Sequence, residues 1–208
     1  MSVEPLTRVV LSDIGNVLVR ATHAITWAIL ENLGVSPKDA RRFFDNPAYA
    51  AFARGEIDGD EFADQTVHHV HATGCLRDDY RRQIRVAHDA HIYDWDRAVD
   101  SVLMRIMVPL MYATDTNAWQ MERVKQLGVC IETTNRVFRS DKLGCLKREA
   151  GTFDRIAHEI GEEPRRICFV DDDAQNVARA ARAGFDTVRF TDAGALVGAL
   201  QARRIFVA

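Results

Sequence analysis

Two short apolar runs, one near each end of the chain, stop at carboxylates. Val9-Val10-Leu11-Ser12 leads into Asp13-Ile14-Gly15-Asn16, and Ile167-Cys168-Phe169-Val170 leads into Asp171-Asp172-Asp173. Unbroken apolar runs of this length, closed by turn chemistry, read as strands buried on both faces, as in a parallel sheet covered by helices. In such sheets ligands gather beyond the carboxyl ends of the strands. Acids delivered there from two strands can hold a hard cation, and one of them can attack an electrophile. A metal-dependent α/β enzyme is therefore the first expectation.

The remaining composition bounds this reading. With 208 residues the chain can form one large domain, or a core with a small second unit. It is 47% hydrophobic and 27% charged, ordinary for a soluble globular protein. A net charge of -3 without a basic block argues against nucleic-acid partners. The longest apolar region, Val102 to Tyr112, is broken by Arg105 and Pro109, so no membrane span is expected. Glu4 and Pro5 make a poor signal peptide. Cys75, Cys130, Cys145 and Cys168 show no paired spacing and read as reduced thiols, which fits a cytoplasmic protein. Monomer and homodimer both stay open.

The first strand is expected over Thr7–Ser12. From Val19 to Tyr93 the texture turns helical, with no strand expected. Ala21–Leu33 is stopped by Gly34, and Ser36-Pro37 reads as an N-cap with proline at the first helical position. Asp58 and Glu61 have capping-box spacing, and Arg77–Ala90 is a further helix. Alternation then resumes. Asp94 reads as the cap of a helix through Met107, followed by a strand at Val108–Ala113, a helix at Ala118–Leu127 and a short strand at Val129–Glu132. After a turn region over Ser140–Lys147 come the helix Thr152–Ile160, the strand Ile167–Val170, the helix Ala174–Ala183, the strand Thr187–Phe190 and the helix Gly194–Ala202. This rhythm predicts an α/β, Rossmann-like parallel sheet with helices on both faces, and a helical module inserted after the first strand.

Asp13 directly follows its strand and reads either as nucleophile and metal ligand or as a polar turn residue. Gly15 gives close backbone approach or a tight turn. Asp171, Asp172 and Asp173 repel one another unless solvent or a cation screens them. Asp173 reads as the N-cap of the next helix, which leaves Asp171 and Asp172 as ligand candidates. An all-oxygen set suits Mg²⁺, whereas zinc would want histidine or cysteine. Thr114 follows the strand Val108–Ala113, so its hydroxyl would reach the same sheet edge, and Asp115, Thr116 and Asn117 extend a polar loop able to turn N–H groups toward an anion. The alternative for Thr114 is a helix cap. Lys147 by itself is a solvated lysine, but a phosphoryl site with three carboxylates needs a fixed cation.

The order Asp13…Thr114…Lys147…Asp171-Asp172 resembles the four motifs of the haloacid dehalogenase (HAD) superfamily, across almost the whole chain. Leu11 to Leu18 looks like the first motif, Tyr112-Ala113-Thr114-Asp115 the second, Lys147 the third, and Phe169-Val170-Asp171-Asp172 with Asn176 and Gly184 the fourth. The stretch Phe52 to Ile57, with Glu61-Phe62, is similar to the small helical caps of phosphatase-like members. The resemblance implies a core over 1–18 and 94–208 with a cap domain over 19–93. It implies a Mg²⁺-dependent phosphatase of small phosphate esters, with sugar phosphates among the expected substrates, working through an aspartyl-phosphate. Asp13 would be the nucleophile. Asp13, the Gly15 carbonyl, Asp171 and Asp172 would hold the metal. Thr114, the Asp115 amide and Lys147 would bind the phosphate.

Two departures from the family pattern stand out. Many of these phosphatases carry a second aspartate two residues after the nucleophile, where this chain has Gly15, although some relatives share the Gly-Asn pattern. Loss of that acid/base would cost about 10²–10⁴ in rate unless Asp115, Asp173 or a cap histidine replaced it. Arg148 stands where many relatives have proline. The i, i+3 pairs His68/His71 and His88/His91 read as solvated or packing residues rather than as a metal site. Trp27, Phe43, Phe44, Tyr49 and Phe52 read as cap core or cap–core seam. A metal-independent 2-haloacid dehalogenase is the alternative activity, opposed by Asp171-Asp172 and by the lack of an aromatic residue beside Asp13. A catalytically weak phosphate-binding or interaction protein of the same fold is the non-enzymatic alternative.

Overall fold

The computed structural model describes residues 6–72, 79–129, 131 and 136–206. Five strands form one parallel sheet: β1 (Val9–Ser12), β4 (Leu110–Thr114), β5 (Val137–Arg139), β6 (Ile167–Asp171) and β7 (Asp186–Arg189), in spatial order β5-β4-β1-β6-β7. The chain winds outward from β1 to β5, then crosses back to β6 on the other side of β1. That reversal sets the carboxyl ends of β1 and β6 side by side, with Leu11 opposite Phe169 and Ser12 opposite Val170. Asp13 and Asp171 therefore emerge at one edge of the sheet.

Side-chain alternation explains the two covered faces. Val10, Tyr112, Cys168 and Val170 pack with Val99 and Leu103 of α6 (Arg97–Leu103), Met121 and Val124 of α7 (Ala118–Gln126), and Leu196 and Leu200 of α11 (Ala193–Ala202). Leu11, Ala113 and Phe169 face the other way, onto Phe153 and Ile156 of α9 (Thr152–Ile160) and Ala180 of α10 (Ala174–Arg182). Successive strand residues point to opposite sides, so unbroken apolar strands need helices on both. Each buried aliphatic or aromatic side chain contributes about 1.5–3 kcal/mol.

A third apolar cluster belongs to the helices between β1 and β4: α1 (His23–Asn32), α2 (Pro37–Ala40), α3 (Pro47–Ala53), α4 (Gly59–His69) and α5 (Tyr80–Asp89). Leu30, Phe43, Phe52, Phe62 and Ile84 form its centre, with Trp27, Phe44 and Tyr49 packed around them. Trp119 of α7 reaches into this cluster from the sheet side. The expected caps form: Ser36 accepts from the Asp39 N–H, and Asp58 from the Glu61 N–H.

Several boundaries differ from expectation. The segment from Val19 to Tyr93 is not purely helical: β2 (Val19–Ala21) and β3 (Ile92–Trp95) pair antiparallel where the helices enter and leave. Asp94 lies in β3, and Asp96 instead caps α6 by accepting from the Ala98 and Val99 N–H groups. Thr114 is the last residue of β4 rather than the residue after it. On the side away from β1, β4 pairs with Val137–Arg139. The strand expected over Val129–Glu132 lies partly outside the described residues, as does the start of the helix expected from Arg77, which is described from Tyr80.

Candidate active site

Asp13 is delivered by β1, whose residues are all buried, and its own N–H donates to the Val170 carbonyl of β6. Its Oδ1 accepts the Ile14 N–H at 2.7 Å. Its Oδ2 lies 2.8 Å from Lys147 Nζ. The same ammonium donates to Asp171 Oδ2 at 2.7 Å. Lys147 is 3% exposed and Asp171 fully buried, so the pair of contacts is out of bulk water. Burial would push the lysine pKa down. The carboxylates of Asp13, Asp171 and Asp115 outweigh that and hold it above its ordinary value.

The acids respond the other way. Burial raises Asp13, with Lys147 opposing. Burial and then Asp13 raise Asp171 to about 6, and burial and then Asp171 raise Asp172. One ligand atom from each of Asp13, Asp171 and Asp172 falls within 4.8 Å of the others. Three crowded carboxylates with one lysine leave net negative charge, which a hard cation would relieve. Asp171 is fixed from its far side: Oδ1 accepts the Asp173 N–H at 2.8 Å, and Asn176 Nδ2 lies 3.3 Å from Oδ2. Asp173 itself caps α10 through the Gln175 N–H.

The loop after β4 is more committed than its composition implied. The Thr116 N–H donates to Oγ of Ser140, the first residue of α8 (Ser140–Leu143), and the Asn117 N–H to Gln120 Oε1. Neither is available to an anion. Among the described residues, no protein group bonds the Thr114 hydroxyl or accepts from the Asp115 N–H. The loop is pinned over Lys147 because Asp115 Oδ1 accepts the Lys147 N–H at 2.8 Å. Gly15 has ordinary backbone angles, and a Cβ built there meets nothing within 4 Å. Its lack of a side chain is thus not imposed by the fold. Asn16 carries the left-handed conformation instead (φ 52°), its Oδ1 accepting the Ala21 N–H.

The structure brings Asp13, Asp171, Asp172, Lys147 and Asp115 together. Gly15, Thr114 and Asp115 line a cavity of about 170 Å³ with His23, Tyr49 and His91. A larger cavity of about 540 Å³ shares His23, Tyr49 and Asp115 and extends past Trp27, Phe44 and Arg148.

Sequence reasoning missed a buried amide–imidazole network at this seam. Asn117 Nδ2 donates to His88 Nε2 at 3.2 Å, and Gln120 Nε2 donates to His91 Nε2 and Tyr49 Oη, each at 3.0 Å. The other ring nitrogens face Asp89 Oδ1 and the His88 carbonyl, which assigns both rings as neutral Nδ1–H tautomers. Burial lowers both histidines, His91 to about 3. The i, i+3 spacing of these histidines was visible; their amide partners lie 29 residues away.

This sheet, with acids at the ends of two neighbouring central strands and a helical layer between the first two core strands, is the fold of the haloacid dehalogenase superfamily. No family model and no curated protein matches the chain, but solved structures do. A HAD family enzyme from Bacteroides thetaiotaomicron, in complex with magnesium and inorganic phosphate, is 19% identical, with TM-score 0.77 over 89% of this chain and 94% of that one. A predicted HAD-like family hydrolase from Porphyromonas gingivalis is 20% identical, with TM-score 0.78 over 95% and 97%. A 2-haloacid dehalogenase from Pseudomonas syringae is 16% identical, with TM-score 0.62 over 88% and 86%. No helix among the described residues is long and apolar enough to cross a membrane.

Proposed function

We propose that this protein is a Mg²⁺-dependent phosphatase of small phosphate esters, sugar phosphates among them, acting in the cytoplasm through an aspartyl-phosphate on Asp13. The observation that carries the reading is the Lys147 ammonium held between Asp13 and Asp171, with Asp172 beside them. An anionic nucleophile can approach an anionic phosphate only where cations offset the repulsion. The donor set is all oxygen, as Mg²⁺ prefers. Asp13, Asp171, Asp172 and the Gly15 carbonyl would hold it. Bound there, the ion would neutralise charge on the carboxylates and the phosphoryl group.

The remaining steps belong to the chain. Asp13 attacks phosphorus, and the bond from phosphorus to the ester oxygen breaks. The Thr114 hydroxyl and the Asp115 N–H donate to phosphoryl oxygens. Lys147 has a third ammonium proton for the same group, beyond the two spent on Asp13 and Asp171. Water then cleaves the acyl phosphate and regenerates Asp13. The layer over 19–93 acts as a cap that excludes bulk water and holds the alcohol part of the ester.

The similar structures include magnesium- and phosphate-bound enzymes as well as dehalogenases. The Asp171–Asp172 pair beside Asp13, the first buried and the second half-buried, favours phosphoryl transfer, since attack on carbon needs no metal. A panel of phosphate esters with Mg²⁺ tests the reading. Phosphate release is expected to stop with EDTA and with Asp13→Asn, while the variant stays folded by circular dichroism. Chelator-insensitive halide release from 2-haloacids, or full activity of Asp13→Asn, would contradict it.

A further inference from the structure

We propose that His23 is the catalytic residue that carries the leaving-group proton, in place of the acid missing at Gly15. The proposal rests on the phosphatase reading above. It starts from the cavity that holds Gly15, Thr114 and Asp115. Of the seven histidines in the chain, two line it: His23 and His91. His91 has both ring nitrogens spent, on Gln120 and on the His88 carbonyl. Among the described residues, no protein group hydrogen-bonds either nitrogen of His23. Asp173 is spent as a helix cap.

Position and orientation support the role. His23 is the first residue of α1, whose cap is Thr22, so it enters the cavity from the helical layer opposite the β1 edge. Its ring stacks on Phe44 with centroids 3.8 Å apart and meets Trp27 edge-on at 6.0 Å, which fixes its plane while leaving the nitrogens open. His23 also lines the larger cavity, where the alcohol part of an ester bound at Asp13 would lie. Partial desolvation by the surrounding rings lowers its pKa, and Asp45 opposes the shift. An arriving phosphate dianion would further favour the imidazolium.

The chemistry balances within the site. As Asp13 bonds to phosphorus, the ester oxygen leaves with the bonding electron pair and takes a proton from the His23 imidazolium, giving the free alcohol and a neutral ring. The neutral ring then removes a proton from the water that attacks the aspartyl-phosphate. The bond from phosphorus to Asp13 breaks, the carboxylate and inorganic phosphate separate, and the imidazolium is restored.

The test is the leaving-group dependence of kcat/KM with Mg²⁺, which reports the first, phosphorylating step. His23→Gln is expected to lower kcat/KM about 100-fold for alkyl phosphates, whose alkoxides need a proton, yet by less than about threefold for p-nitrophenyl phosphate, whose phenolate leaves unaided. A merely structural role would depress both equally, and that result would overturn the proposal. So would finding the selective alkyl loss in Asp115→Asn and not in His23→Gln. Failure of the wild-type protein to hydrolyse either ester class would instead overturn the phosphatase reading on which the proposal rests. Because His23 is exposed and begins a helix, the Gln variant is expected to fold, with circular dichroism as the check.

Discussion

Lys147 concentrates the energetics of the site in one side chain. Burying an ammonium costs several kcal/mol, and two carboxylates within 2.8 Å offset it. Removing it leaves Asp13 and Asp171 buried without their partner. Lys147→Met is expected to lose activity and about 3–5 kcal/mol of stability, read by urea unfolding. Gly15 offers the opposite experiment. A side chain there has open space and an ordinary backbone conformation, so Gly15→Asp is expected to fold as wild type. In a His23→Gln background it should raise alkyl phosphate turnover at least tenfold, measured by phosphate release. No gain would mean that position 15 does not face the departing oxygen.

At the scale of elements, the seam between helical layer and sheet carries the sharpest constraints. Gly55 adopts φ +70°, and a Cβ there would meet the Asp141 carbonyl oxygen at 2.3 Å. Ser140 Oγ lies 2.6 Å from the Ala53 carbonyl while accepting the Thr116 N–H, so α3 and the loop after β4 share one hydroxyl. Arg54 closes the same side on Glu149. The His88–Asn117 and His91–Gln120 bonds close the other, and they require neutral rings. His91 takes up its proton near pH 3 in the folded protein but near 6.5 unfolded. Between those values the unfolded chain binds more protons, so stability falls as pH drops from about 6.5 toward 3. The melting temperature is expected to follow that slope in wild type and to flatten in His91→Gln.

Across the whole molecule, legibility followed the length of each signal. β1 and β6 were readable because each is an unbroken apolar run ending in acid, and the neighbouring strands place those acids together. The placement of Thr114 at the end of β4 and of Lys147 beside Asp13 was readable from residue order, although which loop amides remain free depended on Ser140 and Gln120. β2 and β5 have three residues each, too few for a period-two pattern, and β5 has one buried position. The His23 cavity and the amide–imidazole network arise where segments distant in sequence meet, so no local pattern encodes them. The central claim is that Asp13 becomes covalently phosphorylated. Mass spectrometry of protein quenched in acid during turnover with Mg²⁺ tests it most directly. A single phosphoryl increment on the Asp13 peptide, removed by hydroxylamine, is the expected result. Continued phosphate release with Asp13 never modified, or with the increment on another residue, would contradict the account.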